Sequence, residues 1–290
     1  MEEGISVVIP AYNEAVGIPS VLEEVENSLR GSGFSHEIIV VDDGSTDGTG
    51  RLAARPGVRV IRHPANKGYG AALKTGIRRA RYELIAIIDA DRTYPGGEIP
   101  RLAKHLLEHD YDMVVGARTG ADVHVPLMRR PAKWAIAQIA NYLAGRKIPD
   151  LNSGLRVFKK EVALEFLPLL PAGFSFTASI TLALLSNDYL VDFLPVDYYR
   201  RQGKSKIRPL RDTLNFLGLI LRTVMYFQPL KVFIPMSLLF ILAGLGRGGY
   251  DVLFFQNLTT ADLLLLVTGA FIAMLGLLAD LIDKRIGVIK

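Results

Sequence analysis

The sequence has no cysteine and only one tryptophan in 290 residues. The lack of cysteine excludes disulfide bonds, thiolate nucleophiles and zinc sites built from thiolates. The first four residues, MEEG, carry two acids and no Lys or Arg, so the basic start of a secretory signal peptide is missing as well. We therefore expect the N-terminal part of the chain to stay in the cytosol.

Charged residues are missing from two stretches near the C-terminus, residues 232–246 and 263–279. They help to raise the mean hydropathy of the chain to +0.26, whereas the first ~225 residues have the composition of an ordinary globular domain. Fifteen residues of helix span only ~22 Å, against a hydrocarbon core of ~30 Å, so we expect Lys231 and Arg247 to extend the first stretch by snorkelling.

Arg222 and Lys231 precede the first stretch and Lys284, Arg285 and Lys290 follow the second, whereas the segment between the two stretches offers only Arg247. The positive-inside rule then predicts a transmembrane hairpin, residues 229–290, with both ends in the cytosol. Just before it, Arg208, Arg211, Asn215 and Arg222 recur at helical spacing among apolar residues. Residues 208–228 are therefore predicted to form an amphipathic helix at the membrane interface, although a core helix of the preceding domain remains an alternative.

The net charge of +5 indicates an anionic partner. The sequence contains neither a recognition-helix pattern nor a cluster of aromatic residues for stacking on RNA, so nucleic acid is excluded as that partner. Cytosolic basic residues next to an anionic lipid bilayer explain the excess of Lys and Arg better.

The first part of the chain alternates short apolar runs with segments of helical periodicity. The apolar runs are residues 5–10, 37–41, 58–61, 84–88 and 112–115, and the helical segments include residues 18–29, 71–80 and 99–107. This alternation predicts an α/β fold with a mostly parallel, Rossmann-like sheet. Ligands of such sheets bind at the carboxyl ends of the strands, and the polar sequences AYNE, DDGSTDGT, DADRTYP and GAR follow four of the runs.

Two pairs of acids lie at these strand ends, Asp42 with Asp43 and Asp89 with Asp91. In an extended backbone, residues two apart point to the same side, so Asp89 and Asp91 are predicted to act together. Carboxylate oxygens suit a hard cation such as Mg²⁺ or Mn²⁺ bound to a diphosphate. An Asp-x-Asp by itself is more typical of a cap or a turn, but its place at a strand end favours the metal.

Several motifs occur in an order that resembles family 2 glycosyltransferases of the GT-A fold. They are PAYNE at 10–14, VVDDGSTDGT at 40–49, NKGYGAAL at 66–73, DAD at 89–91, and the later NSGLR and GKSK. Together with the C-terminal hairpin, they are similar to the polyprenyl-phosphate branch, the dolichol-phosphate mannose synthases and their glucosyl relatives. The resemblance covers residues 5 to about 230.

The resemblance implies a donor site for a nucleotide-diphosphate sugar. Its residues would be Pro10, Ala11, Tyr12, Glu14, Asp42, Asp43, Lys67, Gly68, Asp89, Ala90 and Asp91, with the metal on Asp89 and Asp91. A carboxylate that accepts a hydrogen bond from an N–H of uracil or guanine agrees with this placement.

For the acceptor, the resemblance implies a lipid monophosphate bound by cationic side chains. The expected ligands are Arg118, Arg129, Arg130, Arg200 and Lys206. Asp91 and Arg118 are the predicted catalytic residues together with Asp150, which would orient the acceptor or the sugar hydroxyls or else only cap a turn. A phosphate oxygen is already an anion at pH 7, so its attack on the sugar needs no strong base. Direct attack from the face opposite the leaving group would invert the anomeric centre.

The sequence departs from the mannose synthase pattern at two places. Thr93 stands where many members have Gln in Asp-x-Asp-x-Gln, and Ser175, Thr177 and Ser179 follow the Gly-Phe pair where an acid is common. UDP-glucose and GDP-mannose therefore both remain as donors. The identity of the ion and the choice between a monomer and a homo-oligomer are left open too.

Residues 1–207 are thus predicted to be a glycosyltransferase domain. Two alternatives stay open: a membrane-bound family 2 transferase with a different lipid or polysaccharide acceptor, and a membrane-anchored sugar-nucleotide binding protein without turnover. The single tryptophan, Trp134 in RRPAKWAI, does not fit the Gln-x-x-Arg-Trp signature of a processive polysaccharide synthase.

Overall fold

The computed structural model describes residues 4–119, 138, 141–142, 145–173, 175–199, 218, 225 and 228–288, with side chains to residue 282. The chain divides into two compact units, Met1–Leu217 and Gly218–Lys290. In the first unit seven strands form one sheet in the order β3-β2-β1-β4-β6-β5-β7. The strands are β1 Gly4–Ala11, β2 Ser35–Asp42, β3 Val58–Arg62, β4 Leu84–Ile87, β5 Met113–Ala117, β6 Arg156–Lys159 and β7 Val191–Pro195.

Helices follow most strands and cover the sheet. They are α1 Ile18–Leu29, α2 Thr49–Ala53, α3 Tyr69–Arg79, α4 Ile99–Glu108, α5 Lys160–Phe166 and α6 Phe176–Ser186. A proline in the first turn of α1 and another in that of α4 fit these helix starts, where a missing N–H costs nothing. The α/β architecture and the bounds of α1 are as the periodicity predicts.

The main difference from the sequence-based prediction is β6, which the apolar pattern does not reveal. This four-residue strand, RVFK, has a charged residue at each end and runs antiparallel between β4 and β5. The other described strand pairs are parallel. Arg156 opposes Ile87 on one side and Val115 on the other, so a charged residue lies in the middle of the sheet.

The central strand β1 buries apolar side chains on both faces of the sheet. Val7 and Ile9 of β1 pack with α1 and α4 in one core cluster, and both side chains are completely buried. Val8 points to the other face, where a β-carbon on Gly76 of α3 would collide with its side chain. The close approach of α3 and the buried strand β1 hold the polar loops at the carboxyl edge of the sheet in fixed positions.

The second unit is a hairpin of two long helices, α7 Leu230–Phe255 and α8 Thr260–Val288. Glycines allow the helices to pack closely, since a β-carbon on Gly269 would lie 2.6 Å from Ile241 and one on Gly276 2.5 Å from Phe233. Ser237 Oγ donates to the carbonyl of Gly269 at 2.7 Å. Both helices are long and apolar enough to cross a membrane.

The hairpin differs from the sequence-based prediction in length and in the place of Arg247. The charge pattern predicted Arg247 in the connecting loop, and this prediction is wrong. Arg247 lies inside α7, and the turn comes after Phe255. Its Nε donates to Asp262 of α8 at 2.9 Å and lies 3.9 Å from Asp251. Because the opposite charges are paired, helix continues past the uncharged stretch to 26 residues, about 39 Å, and the predicted shortfall disappears.

Candidate active site

Two loops at the carboxyl edge of the sheet are joined to each other by hydrogen bonds. They are the loop after β1, which holds Asn13 and Glu14, and the loop after β2, which holds Ser45 and Thr46. The N–H of Asn13 donates to Ser45 Oγ at 3.0 Å, and Asn13 Oδ1 accepts from the N–H of Thr46 at 2.9 Å. Asn13 has a φ of 54°, a left-handed conformation that asparagine tolerates. The two loops therefore form one continuous wall.

The four residues predicted from the first strand end take different positions in this wall. Pro10 and Ala11 are the last residues of β1 and are buried. The ring of Tyr12 is the most open of the four, at 36% exposure. Glu14 is half-buried, and its carbonyl accepts from the N–H groups of Gly17 and Ile18 at the start of α1.

Asp42 and Asp43 are both buried, at 1% and 2% exposure. Asp42 accepts from the N–H of Ser45 at 2.9 Å. The carboxylate of Asp43 accepts from the N–H groups of Lys67 at 2.9 Å and Gly68 at 2.8 Å, and it lies 2.7 Å from His63 Nδ1. Asp43 thus fixes the loop after β3 beside the loop after β2.

Lys67 and Gly68 use their backbones for this contact, which leaves the Lys67 side chain exposed. Gly68 has a φ of 102°, and a β-carbon there would lie 2.6 Å from the carbonyl oxygen of Ala172. Only glycine fits at this position, because both the backbone conformation and the space exclude a side chain.

Asp89 and Asp91 lie in the turn after β4, which ends at Ile87, and not in extended backbone as the sequence spacing implied. Tyr69 of α3 donates its hydroxyl to Asp89 Oδ1 at 2.8 Å. A β-carbon on Gly154 would collide with the same carboxylate, so the NSG turn closes over it. Burial, and next the charge of Asp91, raise the pKa of Asp89 to about 6.

The second carboxylate of the pair is held by its own turn. Asp91 Oδ1 accepts from the hydroxyl of Thr93 at 2.6 Å and from its N–H at 3.2 Å. Ala90, between the two acids, is 2% exposed, and a β-carbon on Gly17 would collide with its carbonyl oxygen. Thr93, itself 1% exposed, orients Asp91 instead of offering another carboxamide or carboxylate ligand.

These residues fit a divalent cation that is shared with a ligand. The described part of the chain has no cluster of three or more His, Cys, Asp or Glu, so no complete protein cage for a metal is found there. Two neighbouring carboxylates, one of them with a pKa raised by burial and by the charge of the other, are what Mg²⁺ or Mn²⁺ needs from the protein when diphosphate oxygens and water supply the other ligands.

Arg118, at the end of β5, forms a two-pronged ion pair with Asp150. Arg118 Nε donates to Asp150 Oδ2 at 2.7 Å and Arg118 Nη2 donates to Oδ1 at 2.8 Å. The backbone N–H of Arg118 also donates to Oδ2 at 3.1 Å. The guanidinium lies 5.1 Å from the ring centre of Tyr198. Burial raises the pKa of Asp150, but the bonds from Arg118 outweigh it and hold that pKa below its usual value.

Arg118 and Asp150 thus occur as a unit, with Asp150 orienting the arginine. The other four predicted acceptor ligands, Arg129, Arg130, Arg200 and Lys206, lie outside the described residues.

Three residues of this site were not singled out from the sequence: Tyr69, Tyr94 and Gly154. Tyr94 is 2% exposed, its hydroxyl oxygen accepts from the N–H of Gly154 at 2.8 Å, and its ring meets Tyr198 edge to face at 5.2 Å. Tyr69 and Gly154 do occur inside the motifs NKGYGAAL and NSGLR, so motif membership was the available signal. Nothing in the sequence shows that the two motifs converge on Asp89.

Residues 6–167 match the domain described as glycosyl transferase family 2, which is more than half of the chain. The chain belongs to glycosyl transferase family 2. Residues 228–284 match the GtrB C-terminal hairpin. The family predicted from the motifs is therefore confirmed, and this family 2 protein is a glycosyltransferase.

Curated relatives of this glycosyltransferase come from archaea and bacteria. The low-salt glycan biosynthesis hexosyltransferase Agl6 of Haloferax volcanii is 31% identical over 72% of this chain and 51% of its own length. The dolichyl-phosphate hexose transferase of the same organism is 29% identical over 71% of this chain and 88% of its own. The undecaprenyl-phosphate mannosyltransferase of Micrococcus luteus is 27% identical, over 69% and 86%. The chain spans about half the length of the first of these relatives.

Solved structures of similar fold include glucosyl-3-phosphoglycerate synthase from Mycobacterium tuberculosis in complex with Mn²⁺, uridine diphosphate and phosphoglyceric acid. It superposes with a TM-score of 0.62 at 21% identity, over 77% of this chain and 78% of that one. A second structure of that enzyme, with phosphoglyceric acid, gives a TM-score of 0.60 at 24% identity, over 77% and 80%. The GT-A fold class of the glycosyltransferase is confirmed by this likeness.

The hydroxyl of Tyr69 offers a first test of the Asp89 environment. We expect Tyr69→Phe to lower the turnover of the glycosyltransferase by about ten- to a hundredfold, because a hydrogen bond to a charged group contributes about 1.5–3 kcal/mol and its loss lets the carboxylate rotate. Phe keeps the ring in place but leaves the buried Asp89 carboxylate without this donor, so the protein should stay folded with a melting temperature lowered by a few degrees. Initial rates and a thermal melt on the same preparations check both statements, and an unchanged rate would count against a role for this contact.

Proposed function

We propose that this glycosyltransferase moves one hexose from a nucleotide-diphosphate sugar, UDP-glucose or GDP-mannose, to polyprenyl or dolichyl phosphate at the cytosolic face of a membrane. The observation that carries the proposal is the joint presence, at the carboxyl edge of one sheet, of the Asp89–Asp91 pair and the oriented guanidinium of Arg118. The names of the relatives, which include a dolichyl-phosphate hexose transferase and an undecaprenyl-phosphate mannosyltransferase, support the same acceptor class.

The nucleotide would bind along the wall made by the loops after β1 and β2. Tyr12 offers an exposed ring for the base, and the exposed side chain of Lys67 offers a cation for the diphosphate. Asp42 and Asp43 would act mainly by shaping this wall, since their oxygens accept from loop N–H groups. This assignment refines the direct contact to base and ribose that the family resemblance implies.

Asp89 and Asp91 would hold Mg²⁺ or Mn²⁺ on the diphosphate. A bound divalent ion supplies neutralisation of the charge on the departing nucleoside diphosphate. The neighbours of the pair keep it ready for this task, because Tyr69 fixes Asp89 and Thr93 fixes Asp91 before any ligand arrives.

The acceptor side of the site must bring the anionic lipid phosphate toward the anionic diphosphate of the donor. Two unit charges ~4 Å apart repel by ~4 kcal/mol at an effective dielectric of ~20, which corresponds to about three orders of magnitude in rate. Arg118 would offset this repulsion by receiving the lipid phosphate, helped by Arg129, Arg130, Arg200 and Lys206. Asp150 would serve as the positioning residue that presents Arg118 in one geometry.

Attack would come directly from a phosphate oxygen, with inversion at the anomeric carbon. The phosphate is largely dianionic at pH 7, since its second pKa is about 6, and needs no strong base. A covalent sugar–enzyme intermediate is not required for this route.

The interface helix and the transmembrane hairpin would keep the catalytic domain close to its lipid acceptor. We assign residues 1–207 to catalysis, residues 208–228 to an interface helix and residues 229–290 to a transmembrane hairpin with its C-terminus in the cytosol. The outward face of the hairpin carries exposed large apolar residues such as Leu239, Leu242, Leu264 and Val267, which suits contact with lipid chains. An acceptor held in the same bilayer would be presented at a high local concentration.

The test is a transfer assay on the full chain in detergent or liposomes. Radiolabelled UDP-glucose and GDP-mannose are each incubated with and without undecaprenyl or dolichyl phosphate and with Mn²⁺, Mg²⁺ or EDTA. The proposal expects label in the organic phase only when a polyprenyl phosphate and a divalent ion are both present. Label released into water, or retained on the protein without turnover, would contradict it.

A further inference from the structure

Arg156 on β6 is the largest fully buried side chain in the described part of the chain, with 0% exposure. One terminal nitrogen donates to the carbonyl of Thr177 and to the hydroxyl of Thr181, both at 2.9 Å. The other terminal nitrogen donates to the carbonyl of Ser153. The guanidinium thus links the turn before β6 to helix α6.

No carboxylate forms an ion pair with Arg156 among the described residues, and its Nε is buried without a hydrogen-bond partner. Burial lowers the pKa of Arg156 to about 10, so the group stays charged at neutral pH. A buried charge held only by neutral oxygens is unfavourable for folding, and retaining it calls for a role beyond packing.

The position of Arg156 connects it to Asp89 in two ways. In the sheet it lies opposite Ile87, two residues before Asp89. Along the chain, the carbonyl it holds belongs to Ser153, whose neighbour Gly154 leaves no room for a β-carbon beside the Asp89 carboxylate.

We propose that Arg156 is a positioning residue for the metal end of the site: its guanidinium holds the Ser153–Gly154 turn against Asp89 and so keeps that carboxylate in one position. Because Arg156 is fully buried, it cannot reach donor, acceptor or ion itself and acts through Asp89. This inference rests on the proposed function, because it presupposes that Asp89 and Asp91 bind a divalent ion.

The experiment measures the binding of Mn²⁺, with and without UDP, to the full chain in detergent by electron paramagnetic resonance. Arg156→Met removes the charge and the donors but keeps a long apolar side chain. Arg156→Lys keeps the charge and loses the planar fork that reaches both Ser153 and Thr177. Thr181→Val is the matched control, because it removes one partner of the same guanidinium on the α6 side and leaves the bond to Ser153 and the charge intact.

We expect Arg156→Met to weaken Mn²⁺ binding by about tenfold or more, the usual effect of removing a group that supports a metal ligand. Arg156→Lys should fall between Arg156→Met and the natural chain, and Thr181→Val should lower the melting temperature without a change in Mn²⁺ affinity. Natural affinity in a folded Arg156→Met would overturn the inference, as would natural affinity in Arg156→Lys if the Met variant does not fold.

A failure of this inference can be told apart from a failure of the proposed function. If Asp91→Ala binds Mn²⁺ as well as the natural chain does, the metal site itself is wrong. If Mn²⁺ binding depends on Asp91 but not on Arg156, only the role of Arg156 is wrong.

Discussion

Asp91→Asn is expected to lower sugar transfer by about a thousandfold or more, since a bound divalent ion contributes several kcal/mol of transition-state stabilisation and each 1.36 kcal/mol is a factor of ten. The substitution removes one of two carboxylates and leaves the size of the side chain unchanged. The amide oxygen of Asn can still accept from Thr93, which lies 2.6 Å from Asp91 Oδ1, so the turn should keep its conformation. The effect should therefore be on chemistry and not on folding.

Two measurements on the purified chain check this expectation, transfer to polyprenyl phosphate and the melting temperature, together with the share of the expressed protein in the membrane fraction of the cells. Asp188→Asn is the matched control, because Asp188 is exposed, has a φ of 60° that Asn also adopts, and lies before β7, at the end of that strand away from the site. The control should retain full activity. Turnover of Asp91→Asn within a few-fold of the natural rate would count heavily against the metal role.

The sequence was informative where chemistry and position coincide. The acids at the ends of the second and fourth strands, the arginine after the fifth, and the PAYNE sequence at the end of the first all lie at the ends of apolar strands, and the parallel sheet brings them to one edge. That much depends only on strand periodicity and on the rule that parallel strands end together.

The parts that the sequence did not reveal depend on contacts between distant segments. Tyr69 and Gly154 are 85 positions apart, yet both meet Asp89, and Arg156 looks like the exposed end of a polar segment until β6 is seen between β4 and β5. The antiparallel entry of β6 brings the NSG turn to the carboxyl edge of the parallel strands. Four residues with charged ends give no periodic signal for such a strand.

In the hairpin, too, a contact between distant segments decides the structure, here the ion pair between Arg247 and Asp262. Arg247 was predicted to lie in the segment that connects the two helices and to snorkel toward the membrane interface. Asp262, on the other helix, cancels the cost of an isolated cation in hydrocarbon through a 2.9 Å contact, and sequence proximity could not show it. Pairing between helices therefore sets the helix length, and the uncharged run alone does not.

Arg118→Gln is expected to impair use of the lipid acceptor far more than binding of the donor. Removing one partner of a close, partly desolvated charge pair costs about 2–5 kcal/mol, so kcat/KM for polyprenyl phosphate should fall by roughly two orders of magnitude or more. The dissociation constant of UDP with Mn²⁺ should stay within about threefold, because Arg118 contacts Asp150 and Tyr198, and neither was assigned to the nucleotide.

The interpretation of that variant depends on Asp150, which Arg118→Gln leaves without its ionic partner. Asp150→Asn separates orientation from charge, because Arg118 keeps its positive charge but loses the carboxylate that holds it at 2.7 and 2.8 Å. We expect a smaller loss of kcat/KM for polyprenyl phosphate, about tenfold.

Arg101→Gln is the matched control, since Arg101 also pairs with a carboxylate, Glu98, at 2.6 Å, but lies half-exposed on α4 and should leave both constants unchanged. Equal losses of donor and acceptor binding in Arg118→Gln would contradict the division of the site into a carboxylate side for the nucleotide and a guanidinium side for the lipid phosphate.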